Sequence, residues 1–163
     1  MALNAYLKLK GQKQGQIKGS VTQKGREDSI LVIAVTHEVV SPRDAASGQA
    51  SGKRMHKPLV ITKELDKSSP LLYNALVTNE TITEWLLTFY KADAPAAGAE
   101  KANYTVKLTN ANIATIDFVM PNNKLPDLMR LNEYEQIAFT YEKIDWTWLE
   151  GGISAADSWM QRT

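Results

Sequence analysis

The stretch of sequence that decides the fold lies at residues 52–76 and reads GKRMHKPLVITKELDKSSPLLYNAL. In its first half Met55, Leu59 and Ile61 share one parity, which is typical of a β-strand with a single apolar face. Pro58 has no amide hydrogen to donate, so the sequence predicts a sheet edge or a bulge at that position. The stretch therefore opens with a strand that is irregular near its middle.

The second half of the same stretch predicts a short helix. Ser69 is suited to cap a helix, and Pro70 is suited to its first turn because its φ angle is already fixed. Apolar residues follow at helical spacing: Leu71, Leu72, Ala75 and Leu76. Asn79 is the expected stop. We predict a helix at about residues 69–78.

Outside this stretch the dominant pattern is alternation of apolar and polar residues. It predicts strands at about residues 3–10, 16–24, 29–40, 103–109, 113–120 and 133–148. Residues 81–91 suit either a helix or a strand, and the β-branched Thr81, Ile82, Thr83 and Thr88 favour a strand. Residues 29–40 begin with an apolar run that predicts burial on both faces, and residues 92–101 are expected to connect a hairpin. Residues 113–120 are expected to pair with residues 103–109. The fold class is mainly β, an antiparallel β-barrel or sandwich with one short flanking α-helix.

The length of 163 residues fits one domain that spans residues 1–163. Residues 41–52 are small, polar and rich in helix and strand breakers, so we expect a long exposed loop there. Residues 150–163 are expected to form a short C-terminal tail.

Charge is unevenly distributed although the formal net charge is only +1. Residues 1–26 carry six basic residues and no acid, whereas residues 127–163 carry seven acids. Either the terminal strands pair within one chain, or the basic side of one subunit meets the acidic side of the next. Nucleic-acid binding is a third option, but basic residues in an alternating strand are usually its solvated face.

The sequence does not match known catalytic, metal-binding or cofactor-binding motifs. Residues 47–54 approach a phosphate-binding loop, but Ser47 replaces the first glycine and Arg54 replaces the closing hydroxyl residue. His37 and His56 are the only histidines and lack zinc-site spacing, and we expect His56 at the surface or in a hydrogen bond. There are no cysteines and no nucleophile elbow. The sequence predicts no enzyme, no metal and no cofactor.

The aromatic residues near the C-terminus change parity. Ile137, Phe139 and Tyr141 occupy one parity, and Ile144, Trp146 and Trp148 occupy the other. A bulge that turns the other face of the strand inward explains this switch, and so does an intersubunit contact that covers the second face. Trp159 is expected to anchor the end of the chain to its own fold or to a neighbouring subunit.

Three segments together carry a resemblance to a known family: residues 52–76, residues 135–148 and the closing Ala156-Asp157-Ser158-Trp159. The chain resembles the Hcp (haemolysin-coregulated protein) family of type VI secretion. The resemblance covers nearly the whole chain. The residues that carry the signature are Gly52, Arg54, His56, Lys57, Pro58, Lys63, Asp66, Ser69, Pro70 and Trp146.

The resemblance implies a structural subunit. Six copies would form a ring, and stacked rings would form the inner tube of a contractile injection apparatus. Its partners would be further copies, contractile sheath proteins, a spike protein and secreted effectors in the lumen, with no nucleic acid. No apolar run suits a signal peptide or a membrane span, so we expect a cytoplasmic protein that is secreted by another route. Because the chain ends soon after Trp159, no toxin domain is expected.

Loop 41–52 is the predicted site of ring stacking because it is long and lacks anchoring apolar residues. The residues proposed for stacking or for subunit contact are Ser41, Pro42, Arg43, Asp44, Ser47, Gln49, Ser51, Lys53 and Trp159. The main rival hypothesis is a stand-alone monomeric β-barrel that binds a small apolar ligand among its tryptophans. A hydrolase with an unrecognised site is a weaker rival.

Overall fold

The computed structural model describes residues 1–93 and 98–160, and most of them lie in antiparallel β-strands. The elements in chain order are β1 (Ala5–Gly11), β2 (Gly15–Ile17), β3 (Ile30–Val32), β4 (Ala34–Thr36), β5 (Val39–Val40), β6 (Met55–His56), β7 (Leu59–Glu64), α1 (Ser69–Val77), β8 (Ile82–Ala92), β9 (Glu100–Thr109), β10 (Asn112–Val119), a 3-10 turn (Pro126–Leu128), β11 (Tyr134–Thr140), β12 (Lys143–Trp148) and β13 (Ile153–Ser158).

Two sheets pack face to face around the core. The larger sheet has the order β13-β12-β9-β8-β1-β2, with β3 also pairing with β1, and the smaller has the order β10-β11-β7-β4. Trp85 of β8 meets Phe139 of β11 across the interior, with 5.4 Å between ring centroids. Both side chains are buried. The mainly β prediction with one flanking helix is confirmed, in its sandwich form, because neither sheet closes on itself.

The chain crosses from one sheet to the other at two places where we predicted one long strand. Residues 29–40 form β3 in the larger sheet, β4 in the smaller sheet and β5 beyond it. Their predicted burial on both faces is wrong, since Ile33 at the first crossing is 46% exposed. Residues 133–148 divide into β11 and β12 around Tyr141 and Glu142. This second crossing explains the change in aromatic parity, because the core lies on opposite sides of the two strands.

Two other predictions of strands were wrong. Of residues 16–24, only Gln16 and Ile17 lie in a strand, and the following segment turns through Gly25 (φ 84°) and Asp28 (φ 65°). Strand β10 pairs with β11 and not with β9, whose neighbours are β8 and β12. Adjacent strands in sequence are usual partners, but here the chain changes sheet after Thr109. The predicted hairpin at residues 92–101 does join paired strands, and residues 94–97 lie outside the described residues.

The opening stretch folds as a broken strand followed by a helix. Pro58 lies between β6 and β7, as its missing amide hydrogen predicts. Leu59 and Ile61 are buried, but Met55 is 49% exposed and His56 is buried in its place. The predicted surface position of His56 was therefore wrong, and its hydrogen bonding was right.

Helix α1 begins at Ser69. A helix capped by Ser69 would begin one residue later, at Pro70. Ser68 is the N-cap, and Ser69, predicted as the cap, lies inside the helix with its hydroxyl bonded to Glu135. Leu72 and Ala75 are buried as predicted, whereas Leu71 is 38% exposed. Asn79 ends the helix with φ 53°, a left-handed conformation that asparagine tolerates.

Within the C-terminal segment 150–163, residues Ile153–Ser158 form β13, which pairs with β12 and lies at the edge of the larger sheet. Gly151 (φ 87°) and Gly152 (φ 66°) make the turn between the two strands. Along the described ranges no helix has the length and apolar character needed to cross a membrane.

Candidate functional site

Asp157 of β13 binds two signature residues that lie about a hundred positions earlier in the chain. Arg54 donates from Nε to Oδ2 at 2.5 Å and from Nη2 to Oδ1 at 2.7 Å. His56 Nε2 lies 2.7 Å from Oδ2. The hydrogen bonds from Arg54, and next those from His56, hold the pKa of the Asp157 carboxyl well below its usual range. The carboxylate therefore stays ionised, and it fixes the last strand to the signature segment.

Two aromatic rings complete this group, which we call the Asp157 cluster (Arg54, His56, Tyr141, Asp157 and Trp159). His56 Nδ1 lies 2.7 Å from the Tyr141 hydroxyl. Trp159 stacks on His56 with ring centroids 5.9 Å apart and meets Tyr141 edge-on at 4.8 Å. Trp159 thus anchors the end of the chain to its own fold, which is one of the two alternatives left open by the sequence.

The chemistry of the Asp157 cluster suits anchoring better than catalysis. Both ring nitrogens of His56 are engaged, and its side chain is fully buried. Burial, and then the charge of Asp157, raise the pKa of the Tyr141 hydroxyl, which is the opposite of an activated nucleophile. In the described part of the chain no three His, Cys, Asp or Glu side chains are grouped so as to bind a metal ion.

A second group of signature residues fixes the start of helix α1. We call it the Lys63 cluster (Lys63, Asp66, Ser69 and Glu135). Lys63 Nζ lies 2.8 Å from Glu135 Oε1, 3.0 Å from Ser69 Oγ and 3.1 Å from Asp66 Oδ1. The Ser69 hydroxyl donates to the same Glu135 oxygen at 2.6 Å. Lys63 and Glu135 are fully buried and directly opposite each other on β7 and β11.

Loop 41–52 makes its hydrogen bonds mainly within itself. Asp44 Oδ2 accepts from the backbone N–H and from the hydroxyl of Ser47, both at 2.8 Å. The Asp44 amide donates to Gln49 O at 2.8 Å, and the Ser51 amide donates to Pro42 O at 2.9 Å. These bonds give the loop a defined shape while residues 43–53 remain exposed. Lys53 lies at the exposed end of this segment.

Of the remaining signature residues, Gly52, Lys57 and Pro58 lie in connections between strands, whereas Pro70 and Trp146 lie in regular elements. Gly52 is exposed, and a Cβ added there would meet open space. Lys57 is exposed and donates its amide to Glu38 O at 3.1 Å. Pro70 lies in the first turn of α1, and Trp146 of β12 packs partly buried against the core.

The two ends of the chain lie on opposite sides of the larger sheet. The order β13-β12-β9-β8-β1-β2 places three strands between β1 and β13. The terminal strands therefore do not pair within one chain, and that alternative for the complementary charges was wrong. Lys8 and Lys10 of β1 remain exposed.

Comparison with known proteins decides the family. A family model described as "Type VI secretion system effector, Hcp" matches residues 6–148. The "Major exported protein" of Pseudomonas aeruginosa is 40% identical over 168 residues, and the match covers 98% of this chain and 96% of that protein. The chain belongs to the Hcp family. The resemblance found in the sequence is therefore confirmed.

Solved Hcp structures have the same fold. Hcp1 from the E. coli EAEC 042 pathovar is 37% identical with a TM-score of 0.84, and the match covers 97% of this chain and 99% of that one. Hcp3 from Pseudomonas aeruginosa is 34% identical with a TM-score of 0.77 over 97% and 99% of the two chains. This Hcp-family chain is a type VI secretion tube protein, and the rival of a ligand-binding monomer is not supported.

The sequence analysis gave no structural role to three residues that hold the signature of this Hcp-family chain together: His37, Glu135 and Tyr141. For Glu135 a signal was available. It shares the parity of Ile137 and Phe139, and Lys63 shares the parity of Leu59 and Ile61. One acid and one base on two apolar faces predict a buried pair if the two strands are neighbours. The contacts of Tyr141 depend on three distant segments, which alternation within one strand does not report.

Proposed function

We propose that this chain is the repeating subunit of the inner tube, that six copies close into a ring, and that the rings stack. The observation that carries this proposal is the exposed edge of β13. Its residues Ile153, Ser154, Ala155 and Ala156 are exposed and uncharged. An exposed run of edge residues without charge or proline is a template for pairing with another chain, and here the one charged residue of β13, Asp157, is turned to Arg54 and His56 of its own chain.

The position of this edge favours contact between unlike surfaces. A ring needs two different surfaces on each copy, one of which meets the other on the next copy. The β13 edge lies at one side of the larger sheet, and β1 with β2 lies at the other. Lys8 and Lys10 line a groove on the β1 side together with Gln16, Glu84 and Leu86. Exposed Glu142 lies on the β12–β13 side, whereas Glu150 is already paired with Lys91 of its own chain at 3.4 Å. The charge of Glu142 would complement Lys8 and Lys10 of the neighbouring copy.

A direct test combines size-exclusion chromatography with light scattering and negative-stain electron microscopy. The wild type is expected to have about six times the protomer mass and to appear as annuli. Replacing Ser154→Lys and Ala156→Lys together adds charge to the edge of β13 and is expected to give monomers. Asn123→Lys, in an exposed loop, is the control and should leave the mass unchanged. A monomeric wild type at high concentration would reject the ring.

For stacking, we propose loop 41–52, with Ser41, Pro42, Arg43, Asp44, Ser47, Gln49, Ser51 and Lys53 as contact residues. Its exposure and its internal hydrogen bonds support this role, because a loop of fixed shape loses little entropy on contact. Deleting residues 45–50 is expected to leave rings intact and to abolish tubes. Tubes of normal length in the deletion variant would remove the loop from this role.

The other partners of the proposal are the contractile sheath, the spike protein and effectors in the lumen. We further propose that the subunit is a non-enzymatic protein that is cytoplasmic before firing and leaves without a signal peptide. The name of the Pseudomonas aeruginosa relative, "Major exported protein", supports export. Cell fractionation before and after sheath contraction tests this route, and retention of the protein in the cells would contradict it.

A further inference from the structure

The hairpin of β12 and β13 leaves part of its core-facing side exposed. Trp146 packs against the core, and Trp148 shares its side of the strand. Directly opposite residues of paired strands also share a side, and Ala155 lies opposite Trp146 while Ile153 lies opposite Trp148. Ile153 is nevertheless 70% exposed, and Trp148 and Ala155 are exposed as well. These three residues form an apolar surface that we call the overhang (Trp148, Ile153 and Ala155).

Helix α1 exposes a second apolar surface. Its nine residues, SPLLYNALV, include no charged residue, although a surface helix usually presents charged and polar side chains to the solvent. Pro70, Tyr73 and Val77 follow at the spacing of one helix face, and all three are exposed, Val77 by 75%. We call them the α1 stripe. Because Leu72 and Ala75 are buried on the other side, the helix is apolar on both its inner and its outer side.

The overhang and the α1 stripe lie on opposite sides of the molecule. Gln14 Nε2 donates to Leu71 O at 3.1 Å, and the Lys67 amide donates to Ser20 Oγ at 3.3 Å. Gln14 precedes β2 and Ser20 follows it, so these contacts place α1 beside β2. Strands β2 and β13 are the two ends of the strand order of the larger sheet. Each copy therefore has one apolar surface at each side of this sheet.

Both surfaces also lie on the same face of the larger sheet. The overhang is on its core-facing side, where the smaller sheet packs. Helix α1 is on that side too, because Leu72 belongs to the core and the Ser69 hydroxyl bonds Glu135 of β11. When the β13 side of one copy meets the β1–β2 side of the next, α1 of the second copy comes against the overhang of the first.

We propose that the α1 stripe of each copy packs against the overhang of the next copy. This contact rests on the ring proposed above and names the apolar surfaces that close it. Exposed apolar patches mark contacts between proteins. The two surfaces are unlike each other, as the repeated contact of a ring requires. Because neither contains a charged residue, their contact buries no unpaired charge.

Disulfide cross-linking tests the contact directly, because the chain contains no cysteine. Each variant carries one cysteine at Tyr73 or Val77 and one at Ile153 or Ala155, which gives four pairs of exposed positions. A short bismaleimide is used beside oxidation, since a disulfide needs Cα atoms within about 7 Å. Denaturing electrophoresis of at least one pair is expected to show a ladder of covalent species that ends at the ring.

The single variants Val77→Cys and Ile153→Cys control for the direction of the contact. Two copies of the same cysteine stay apart when unlike surfaces meet. Both single variants are therefore expected to run as single chains after the same treatment. Dimers of Val77→Cys alone, in the yield of the pairs, would show that like surfaces meet and would overturn the proposal.

Light scattering on the same samples separates this contact from the ring itself. Rings that give no ladder with any of the four pairs would overturn the contact and leave the ring intact. A monomeric wild type at high concentration would overturn both.

A charge in the α1 stripe tests how much the contact contributes to assembly. Val77→Glu is expected to raise the protomer concentration at which rings dissociate at least about tenfold, because the contact would then bury an unpaired charge. Circular dichroism should show the native fold, since Val77 is exposed. Sedimentation velocity across a dilution series measures the dissociation.

Met129→Glu is the matched control for Val77→Glu. It also places a charge on an exposed apolar residue, in the connection between β10 and β11, and it should leave the dissociation of rings unchanged. Rings that dissociate in Met129→Glu and persist in Val77→Glu would place the apolar contact at that connection and would overturn the proposal.

Discussion

At the scale of single residues, Asp157 connects the end of the chain to the signature. Replacing Asp157→Asn removes the charge that binds Arg54 and His56. We expect the free energy of unfolding to fall by about 1.5–3 kcal/mol, the range for hydrogen bonds to charged groups. Urea unfolding at one fixed protein concentration measures it. Asp145→Asn, on the adjacent strand and paired with Lys143 at 3.5 Å, is the control and should cost less than about 1 kcal/mol.

The same contact predicts a pH dependence. The pKa of Asp157 lies below its usual range because of Arg54 and His56, so the folded state binds this proton less readily than the unfolded chain. The stabilisation is therefore complete above the unfolded pKa of about 3.9 and is lost as the pH falls toward the lower folded pKa. Unfolding curves between pH 5 and pH 2.5 should show wild type and Asp157→Asn converging. Parallel curves would contradict this assignment.

Gly11 lies at a position that has no room for a side chain. A Cβ at this position would come within 2.0 Å of Glu80 Oε2, which accepts from the amides of Lys13 at 3.0 Å and Gln14 at 2.9 Å. Glu80 is buried and held by these bonds, so it cannot move aside without losing them. Gly11→Ala should reduce the free energy of unfolding by about 1–3 kcal/mol.

Gly52→Ala is the matched control for Gly11→Ala. Open space surrounds Gly52, and its φ is not in the left-handed region, so thermal unfolding should change by less than about 0.5 kcal/mol. A large loss of stability in Gly52→Ala would show that this signature glycine acts within the fold. A loss of assembly at unchanged stability would place its role at a contact between copies.

At the scale of elements, the Lys63 cluster attaches helix α1 to the smaller sheet. Lys63→Met leaves Glu135 buried without its cation and should cost about 3–5 kcal/mol in urea unfolding. The double variant Lys63→Met with Glu135→Leu should recover at least half of that loss, because no buried charge then remains at the pair. If the loss in the double variant equals the sum of the losses in Lys63→Met alone and Glu135→Leu alone, the two residues are not coupled. Among the residues that the structure describes, Glu135 Oε2 has no hydrogen-bond partner, which favours recovery.

Alternation within a segment predicted most strands of this fold, because it depends only on which face of the strand is buried. Strands β1, β9, β10 and β11 were found in this way, whereas β8 was predicted from its β-branched residues. Pairing was not predictable, because it depends on where the chain changes sheet. The crossing at Ile33 has no glycine or proline to mark it, and the crossing at Tyr141 and Glu142 left only a change of parity.

The candidate site was predictable only as a resemblance. Residues 52–76 were singled out correctly, but their partners were not, because Asp157 and Tyr141 reach Arg54 and His56 from distant strands. The turn at Pro58 and the end of the helix at Asn79 were predictable, since each depends on the residue's own backbone preference. The cap at Ser69 failed because its oxygen, which a cap needs as an acceptor, already accepts from Lys63 Nζ and from the Asp66 amide.

At the scale of the whole molecule, the larger sheet has two unlike sides. Exposed Lys8 and Lys10 lie on the β1 side, and exposed Glu142 lies near β13, whose residues 153–156 are exposed and uncharged. Charges of opposite sign on opposite sides cannot neutralise each other within one copy. They favour one order of assembly, in which each copy presents its β13 side to the β1 side of the next.

Charge reversal on the β1 side tests this order of assembly. The double variant Lys8→Glu with Lys10→Glu should weaken ring formation at least about tenfold, because like charges would then face each other across the contact. Sedimentation velocity across a dilution series measures the shift toward monomer, and added salt should reduce the difference from wild type because it screens exposed charges. Lys24→Glu changes an exposed basic residue in the loop after β2 and is the control. If the double variant forms rings at wild-type concentrations and Lys24→Glu does not, the copies meet through the loop after β2 and not through the β1 side.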